Sequence, residues 1–157
     1  MILRHARRQL VTVSVTSNPT AACLAGQVTD AFLWDEAPCH LLRDHDGAFG
    51  PAYTHRIRAM GIRDHPTAPR SPWQNGYVER FIGSIRRESL DHLIVSDEAQ
   101  LRRVLRNYAS YYNQVRTHLS LDKNAPDFRR PQKLGPIAAI SIHGGLHHQY
   151  VRVLGFD

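Results

Sequence analysis

Hydrophobic and polar positions change their spacing several times along the first third of the chain. Residues 9–16 alternate apolar and polar side chains and are rich in Val and Thr, which predicts a half-buried strand. Apolar residues in 19–32 then share one helical stripe, with Asn18 as the expected N-cap and Pro19 at the first helical position. Residues 39–43 predict a short second strand, and acidic residues follow it directly.

A second helix and a third strand are predicted next. Tyr53 and Ile57 share an apolar face, and Gly61 is expected to end the helix that carries them. Residues 62–68 follow as a strand. Pro66 restricts that strand to the edge of a sheet or bends it, because proline has no amide hydrogen to donate.

Two amphipathic helices follow a proline-rich loop at residues 69–76. Tyr77 opens the first helix, and Ser96 is the predicted N-cap of the second. The apolar stripe of the second helix is expected to be buried, with DNA contact as the less favoured interpretation of its tyrosines. That stripe consists of Leu101, Val104, Leu105, Tyr108, Tyr111 and Tyr112.

The chain is expected to hold one main domain and a short extension. Its 157 residues suit a single domain, which we place at residues 1–131. Residues 132–157 form the predicted extension, in which 137–142 and 149–154 pair as a hairpin around two glycines. No apolar run approaches the roughly 18 residues that a membrane span needs, and the start has no long apolar stretch typical of a signal peptide.

Basic residues outnumber acidic ones. The 20 Lys and Arg against 14 Asp and Glu give a formal net charge of +6, which favours a polyanion such as DNA, RNA or an anionic membrane. A charge that only maintains solubility explains the same numbers about equally well. Cys23 and Cys39 have no framework spacing, so reduced thiols and a cytoplasmic location are expected.

Two carboxylates are candidates for chemistry. Asp44 follows the predicted second strand, and Glu79 lies in the helix opened by Tyr77. Carboxylates are hard oxygen ligands suited to Mg²⁺ or Mn²⁺, and two such ions about 3.5–4 Å apart can stabilise the attacking and leaving oxygens of a phosphoryl displacement. On their own, two acids in a basic protein are more often solvated or ion-paired. The sequence has no Walker-type glycine loop and no GxSxG, so nucleotide hydrolysis and acyl transfer have little support.

Four ordered motifs surround these acids. They are Asp44-His45-Asp46-Gly47, Thr67-Ala68-Pro69-Arg70-Ser71-Pro72, Trp73-Gln74-Asn75-Gly76-Tyr77-Val78-Glu79-Arg80, and Tyr111-Tyr112-Asn113 with Arg116 and His118. Together they resemble the integrase catalytic core of bacterial insertion-sequence transposases, in the DDE superfamily. The resemblance implies an α/β ribonuclease-H-like fold, DNA as the partner, a homo-oligomer, and Mg²⁺- or Mn²⁺-dependent nicking and transfer of DNA strands.

The resemblance also assigns roles to individual residues. Glu79 matches the last acid of the family and Asp44 its second, because Phe49 lies where the family has an aromatic residue five positions on. Asp46 is the alternative to Asp44, although it also suits a turn. The residues expected to contact DNA are Arg70, Asn75, Arg80, Arg86 and Arg87, and Asn75 also matches the loop that positions the last helix. A solvated helix face explains the helical arginines about equally well.

The first acid of the family has no counterpart in the sequence. In the family it lies on the first strand of a sheet with the order 3-2-1-4-5, in which residues 9–16 correspond to the third strand. Residues 1–3 are at most the end of the second strand, and Asp30 and Asp35 lie on or after the first helix, where they cannot replace that acid. We therefore expect an amino-terminally truncated core that lacks the first strand and most of the second. Strand 9–16 and the strand before Asp44 would then lose their hydrogen-bonding neighbours.

Several other residues allow two interpretations. Trp73 is expected to anchor its loop, with base stacking as the less favoured role. The histidines His143, His147 and His148 are expected to be a structural or solvated cluster rather than a zinc site, because no Cys is near in sequence. The arginines Arg102, Arg103 and Arg106 face either phosphates or solvent.

Three functional hypotheses follow. The first is a transposase core that nicks and transfers DNA, although a chain without the first acid is expected to be inactive on its own. The alternative is a non-catalytic DNA-binding or interaction remnant of a transposase. The third is a decaying reading frame with no selected activity. Salt-sensitive DNA binding would distinguish the second hypothesis from the third.

Overall fold

The structure is a computed structural model that describes residues 1–32 and 36–153. The predictions that concern Asp35 and Leu154 lie outside these described residues. Strands and helices together make a mixed α/β protein. In chain order the elements are β1 (Ile2–Arg4), β2 (Gln9–Thr12), α1 (Ala21–Ala31), β3 (His40–Arg43), α2 (Pro51–Ala59), β4 (Arg63–Pro66), α3 (Gly76–Glu88), α4 (Glu98–Gln114), β5 (Ile137–Ile142) and β6 (His147–Arg152).

The described chain divides into two compact units. One is Ser14–Phe81 together with Ile2, and the other consists of Met1, Leu3–Val13 and Ile82–Asp157. Within the described residues the strands pair in three two-stranded sheets, β1-β2, β3-β4 and β5-β6. None of the described helices is both long and apolar enough to cross a membrane.

The unit Ser14–Phe81 combines two helices with a short parallel sheet. α1 contacts α2, and β3 pairs with β4 in a register that joins His40 to Arg63 and Arg43 to Pro66. Pro66 is thus the last residue of its strand, where a missing donor matters least. Burial of apolar side chains is the main favourable term in the folding of such a unit. The buried apolar residues are Ala25, Val28, Phe32, Tyr53, Ile57, Met60, Ile62 and Phe81.

Local hydrogen bonds fix the ends of α1 and α2. The Thr20 hydroxyl accepts a hydrogen bond from the Cys23 amide at 3.2 Å, so Thr20 is the N-cap and the prediction of Asn18 is wrong. Thr20 takes this role because its oxygen reaches the third amide of the helix, which has no partner inside the helix. Gly61 follows α2 with a φ of 72°, a left-handed conformation that glycine adopts without strain, as predicted.

In the other unit, the backbone of β2 has two sets of partners. β2 pairs with β1, and the Leu10 amide donates to Asn113 Oδ1 at 2.9 Å. Asn113 Nδ2 in turn donates to the Leu10 carbonyl at 2.8 Å. The side chain of Asn113 therefore forms hydrogen bonds with both the amide and the carbonyl of Leu10, as a neighbouring strand would. The expectation that this strand lacks a neighbour is wrong for Leu10, and the strand is shorter than predicted because it ends at Thr12.

α4 and the last two strands complete this unit. Asp97 accepts from the Gln100 amide at 2.7 Å and is the N-cap of α4, one residue after the predicted Ser96. Tyr108 and Tyr112 are buried, as the stripe on α4 predicts. β5 and β6 are antiparallel with Ile142 opposite His147, so the second strand of the hairpin begins two residues before its predicted start.

Candidate metal and nucleic-acid site

Arg43, the last residue of β3, holds the end of this strand. Its Nε and Nη2 each lie 2.9 Å from an oxygen of Asp64 on β4, which makes a bidentate ion pair. Its Nη1 donates to the Asp44 carbonyl at 3.1 Å. The guanidinium lies 4.7 Å from the centre of the Phe49 ring, which packs edge-on against Tyr53. The aromatic residue at position 49 thus supports the arginine that fixes the Asp44 backbone.

Asn75 holds the Asp44 carboxylate. Asn75 Nδ2 donates to Asp44 Oδ1 at 2.9 Å. Asn75 is only 7% exposed, whereas Asp44 is exposed to solvent. A buried amide thereby restricts the orientation of an exposed carboxylate. Because the partner is neutral, the negative charge of Asp44 is not compensated by this contact and remains available to a cation.

Glu79 lies in the first turn of α3, four positions after Asn75. A 3₁₀ turn at Pro72–Asn75 leads directly into α3, so the backbone is helical between the two residues. Asn75 therefore lies about one turn before Glu79 along this helical backbone. Glu79 is exposed, and its carboxylate forms neither a hydrogen bond nor an ion pair within the described part of the chain. The residue that binds Asp44 is therefore the helical neighbour of a carboxylate without a protein partner.

Asp46 forms a turn. Its Oδ1 accepts from the Ala48 amide at 2.7 Å, and its carbonyl accepts from the Phe49 amide at 3.2 Å. This is the Asx-turn geometry that Asp favours. Between the two alternatives for the acid after β3, Asp44 is the one that contacts Asn75.

The loop between β4 and α3 is held by backbone and amide hydrogen bonds. The Thr67 amide donates to the Arg43 carbonyl at 2.7 Å, and the Ala68 amide donates to Gln74 Oε1 at 2.8 Å. Trp73 is 73% exposed, so the prediction that it anchors the loop by burial is wrong. The side chain of Gln74 and the end of β3 provide the support that Trp73 was expected to supply.

The predicted DNA-contacting arginines are exposed, and Asn75 is not. The exposed set is Arg70, Arg80, Arg86 and Arg87. Arg87 folds back along α3, where a Cβ atom at Gly83 would lie 3.1 Å from its Nη1. The side chain of Asn75 is directed to Asp44, so it has a structural partner in addition to the DNA contact predicted for it.

Asp44 and Glu79 have the donor chemistry for a hard divalent cation, but two carboxylates make only part of a site. Within residues 1–32 and 36–153, no group of three or more His, Cys, Asp or Glu side chains could hold a metal ion. Mg²⁺ keeps several of its waters and is commonly bound by one or two carboxylates together with substrate phosphates. The residues present therefore fit a partial site that water, phosphate or further ligands complete.

Glu88, at the end of α3, has a very different environment. Its Oε2 accepts from the Tyr108 hydroxyl and from Arg116 Nε, both at 2.8 Å, and its Oε1 accepts from Arg116 Nη2 at 2.6 Å. Burial acts to raise the pKa of Glu88, but the hydrogen bonds from Arg116 and Tyr108 outweigh it, and the pKa is lowered. This acid is a structural anchor with both oxygens in use.

Two histidines extend the network around Glu88. His147 stacks on Tyr111 with ring centres 4.6 Å apart, and its Nε2 lies 2.7 Å from the Glu88 carbonyl. His118 Nδ1 lies 3.2 Å from Arg116 Nη1, where a neutral imidazole accepts the hydrogen bond. Burial, together with the charge of Arg116, lowers the pKa of His118 to about 4. These contacts explain why Arg116 and His118 occur together in the fourth motif.

Sequence reasoning missed the residues that support the acids. Arg43 was given no role, and Gln74 was named only as part of a motif, as was Asn113, which holds β2. A signal existed for Arg43, because a charged residue ended an otherwise apolar strand directly before Asp44. The contact of Asn113 with Leu10 joins residues 103 positions apart and had no local signal. The contact of Gln74 with Ala68 lies within one loop, but its residue pattern does not specify which amide Gln74 binds.

Comparisons with known proteins cover part of the chain. A profile of the integrase core domain family matches residues 60–126, a range that contains Asn75 and Glu79 and begins after Asp44. The "Insertion element IS476 uncharacterized 39.2 kDa protein" of Xanthomonas euvesicatoria is 34% identical over 82 residues. This alignment covers 49% of the chain and 24% of that protein, so the chain spans only a fraction of its relative.

Proposed function

We propose that this chain acts in DNA transposition, because residues 60–126 match the integrase core domain family and a segment of 82 residues is 34% identical to an insertion-element protein. The proposed reaction nicks the ends of a transposon and joins the freed 3′-hydroxyl to target DNA. One observation carries the proposal. Asn75 contacts Asp44 at 2.9 Å and directly precedes the helix whose first turn contains Glu79, so both acids are tied to one residue.

Asp44 and Glu79 are the proposed ligands of Mg²⁺ or Mn²⁺. When bound, the cation would activate the attacking oxygen and stabilise the leaving oxygen of the phosphodiester. Asn75 keeps Asp44 oriented without neutralising it, and Arg43 fixes the backbone from which Asp44 projects. Glu79 lies in the first turn of α3, at the positive end of the helix, where a cation and its phosphate ligands can be reached from solvent. In the complete site of the family a further acid shares the cation. Asp44 and Glu79 are therefore proposed as two of its ligands, not as the full set.

The exposed arginines are the proposed DNA contacts. Arg70 lies in the loop before α3, and Arg80, Arg86 and Arg87 lie on α3 itself. Guanidinium groups bind phosphate oxygens in bidentate fashion and position DNA with little reading of its sequence. The net charge of +6 supports this role. The homo-oligomer and the cytoplasmic location remain predictions.

Manganese binding tests the acid pair. Titration of the full chain with Mn²⁺, followed by electron paramagnetic resonance, should detect a site that Asp44→Asn and Glu79→Gln each weaken at least about tenfold, as loss of even an outer-shell partner does. Asp46→Asn is the matched control, because Asn keeps the oxygen that accepts from Ala48. Equal affinities in wild type and Glu79→Gln, or a loss confined to Asp46→Asn, would contradict the assignment.

Salt dependence tests the arginines. Anisotropy titrations of a labelled duplex at several salt concentrations give a slope of log affinity against log salt that scales with phosphate contacts, about 0.9 per contact. Arg80→Gln and Arg86→Gln should each reduce this slope by about that amount. Arg58→Gln, an exposed position on α2, should leave it unchanged. A slope that is the same in all four proteins would refute DNA contact by α3.

A non-catalytic DNA-binding module is the second candidate. It is supported by the finding that the described residues offer no group of three or more metal ligands. This candidate predicts salt-sensitive DNA binding without Mg²⁺-dependent strand cleavage. Cleavage by the full chain that Glu79→Gln abolishes would exclude it.

A further inference from the structure

Two histidines lie side by side on the sheet formed by β3 and β4. His40 Nδ1 lies 2.8 Å from His65 Nε2, and the ring centres are 4.9 Å apart. In the parallel register His40 is opposite Arg63 and His65 is opposite Leu42, so the two histidines are diagonal neighbours on one face. The Arg43–Asp64 ion pair uses the alternate positions of the same strands and therefore the other face. Both imidazoles are exposed to solvent.

We propose that His40 and His65 bind a divalent transition-metal ion such as Ni²⁺, Cu²⁺ or Zn²⁺. Neutral imidazole is a preferred ligand of these ions, whereas Mg²⁺ prefers oxygen. Imidazole nitrogens bind at about 2.0–2.1 Å, so two nitrogens on one ion, at angles from 90° to tetrahedral, are separated by roughly 2.8–3.4 Å. The observed separation of 2.8 Å lies at the short end of that range, and the exposed rings would turn so that both lone pairs face the ion.

Without metal, one of the two facing nitrogens carries a proton that it donates to the other. Metal binding needs a lone pair on both nitrogens, so this proton moves to the opposite nitrogen of its own ring, and the net charge of the two rings does not change. The ion therefore replaces the hydrogen bond between the two rings as the link that joins them.

The surroundings set the strength of the site. No third His, Cys, Asp or Glu joins the pair in a metal-binding group within the described residues, so water fills the remaining positions. Arg63, directly opposite His40, places a like charge near the ion and lowers its affinity. The ion would connect β3 to β4, and a ligand that binds only the folded form stabilises it by mass action. Asp44 follows β3, so the same strand would carry both sites.

Calorimetric titration of the metal-free full chain with NiCl₂ tests this proposal. His40→Ala and His65→Ala should each weaken the tightest site at least about tenfold. His55→Ala, which removes an exposed histidine from α2, should leave it unchanged. MgCl₂ should not compete, because Mg²⁺ prefers oxygen ligands.

A second variant and a stability measurement keep the test independent of folding defects. Arg63→Gln should raise the Ni²⁺ affinity, because it removes a like charge and leaves both imidazoles in place. Ni²⁺ should raise the Tm of wild type and of His55→Ala but not of His40→Ala. Equal Ni²⁺ affinity in the wild type and both single histidine variants would overturn the proposal, and so would the absence of saturable binding. Neither result bears on the carboxylate pair, which is tested with Mn²⁺.

Discussion

Glu79 and Glu88 lie on the same helix and have opposite surroundings. Glu79, in the first turn of α3, is exposed and has no protein partner within the described residues. Glu88, the last residue of α3, is 23% exposed and has both oxygens bound by Tyr108 and Arg116. Residue type and helix are the same, so the difference lies in which groups the rest of the chain brings to each acid.

The comparison shows how a structural acid differs from a candidate ligand. Glu88 is neutralised by Arg116, so its charge contributes to stability and cannot attract a further cation. Asp44 and Glu79 lack a cationic partner, and the contact of Asp44 is with the neutral amide of Asn75. Neither acid is in an ion pair within the described residues, as the proposed cation site requires.

The largest expected effect is on stability at the Glu88 network. Arg116→Ala should lower the free energy of unfolding by about 3 kcal/mol, because it leaves a partly buried carboxylate without its cation. Glu79→Gln should change it by less than about 0.5 kcal/mol, as expected for an exposed side chain. Urea unfolding followed by circular dichroism measures both. Equal effects of the two changes would remove the distinction between the acids.

Low pH should destabilise the folded chain through the residues around Glu88. The folded-state pKa of His118 is about 4, below the ordinary histidine value of 6.5, so the unfolded chain binds more protons between these values. Stability is therefore fully present above pH 6.5 and is lost as the pH falls towards 4, by at most about 1.4 kcal/mol per pH unit. The lowered pKa of Glu88 adds a further loss when the pH falls below the ordinary carboxyl range. His118→Gln should flatten the profile between pH 6.5 and 5, and an unchanged slope would show that another group is responsible.

Asn75 should affect stability less than Arg116 does, and its main effect should be on metal binding. Asn75→Ala removes one hydrogen bond to an exposed carboxylate and should cost about 1 kcal/mol. It should also weaken Mn²⁺ binding, because Asp44 is then free to rotate. Asn75→Asp is the sharper variant, since it adds a negative charge beside Asp44 while keeping a similar shape. If Mn²⁺ affinity in Asn75→Ala equals that of wild type, Asn75 does not position Asp44.

Local patterns in the sequence predicted most elements but not all their limits. The stripe of α4 and the end of α2 at Gly61 were correct because helical periodicity and a left-handed glycine are properties of neighbouring residues. Both predicted N-caps were wrong by one or two residues, since the caps are Thr20 and Asp97. Several nearby polar residues can cap a helix, and the cap is the one whose side-chain oxygen reaches a free amide. The identity of the N-cap therefore depends on atomic positions, which a pattern of residue types does not specify.

The candidate site was predictable to a similar extent. The motif around Glu79 lies inside the range matched by the integrase core domain profile. Asp44 was preferred to Asp46 because of Phe49, and their hydrogen bonds agree with that preference, since Asp46 forms a turn and Asp44 contacts Asn75. Trp73 was predicted to anchor its loop, but it is 73% exposed and two hydrogen bonds hold the loop instead.

The position of a bound cation tests the central claim most directly. A crystal of the full chain grown with MnCl₂ and measured at the manganese absorption edge gives an anomalous map that locates the ion. The account predicts a peak within about 2.5 Å of one carboxylate oxygen each from Asp44 and Glu79, a distance suited to oxygen ligands of a divalent ion. A peak elsewhere, or these two carboxylates well over about 10 Å apart with no ion between them, would contradict it.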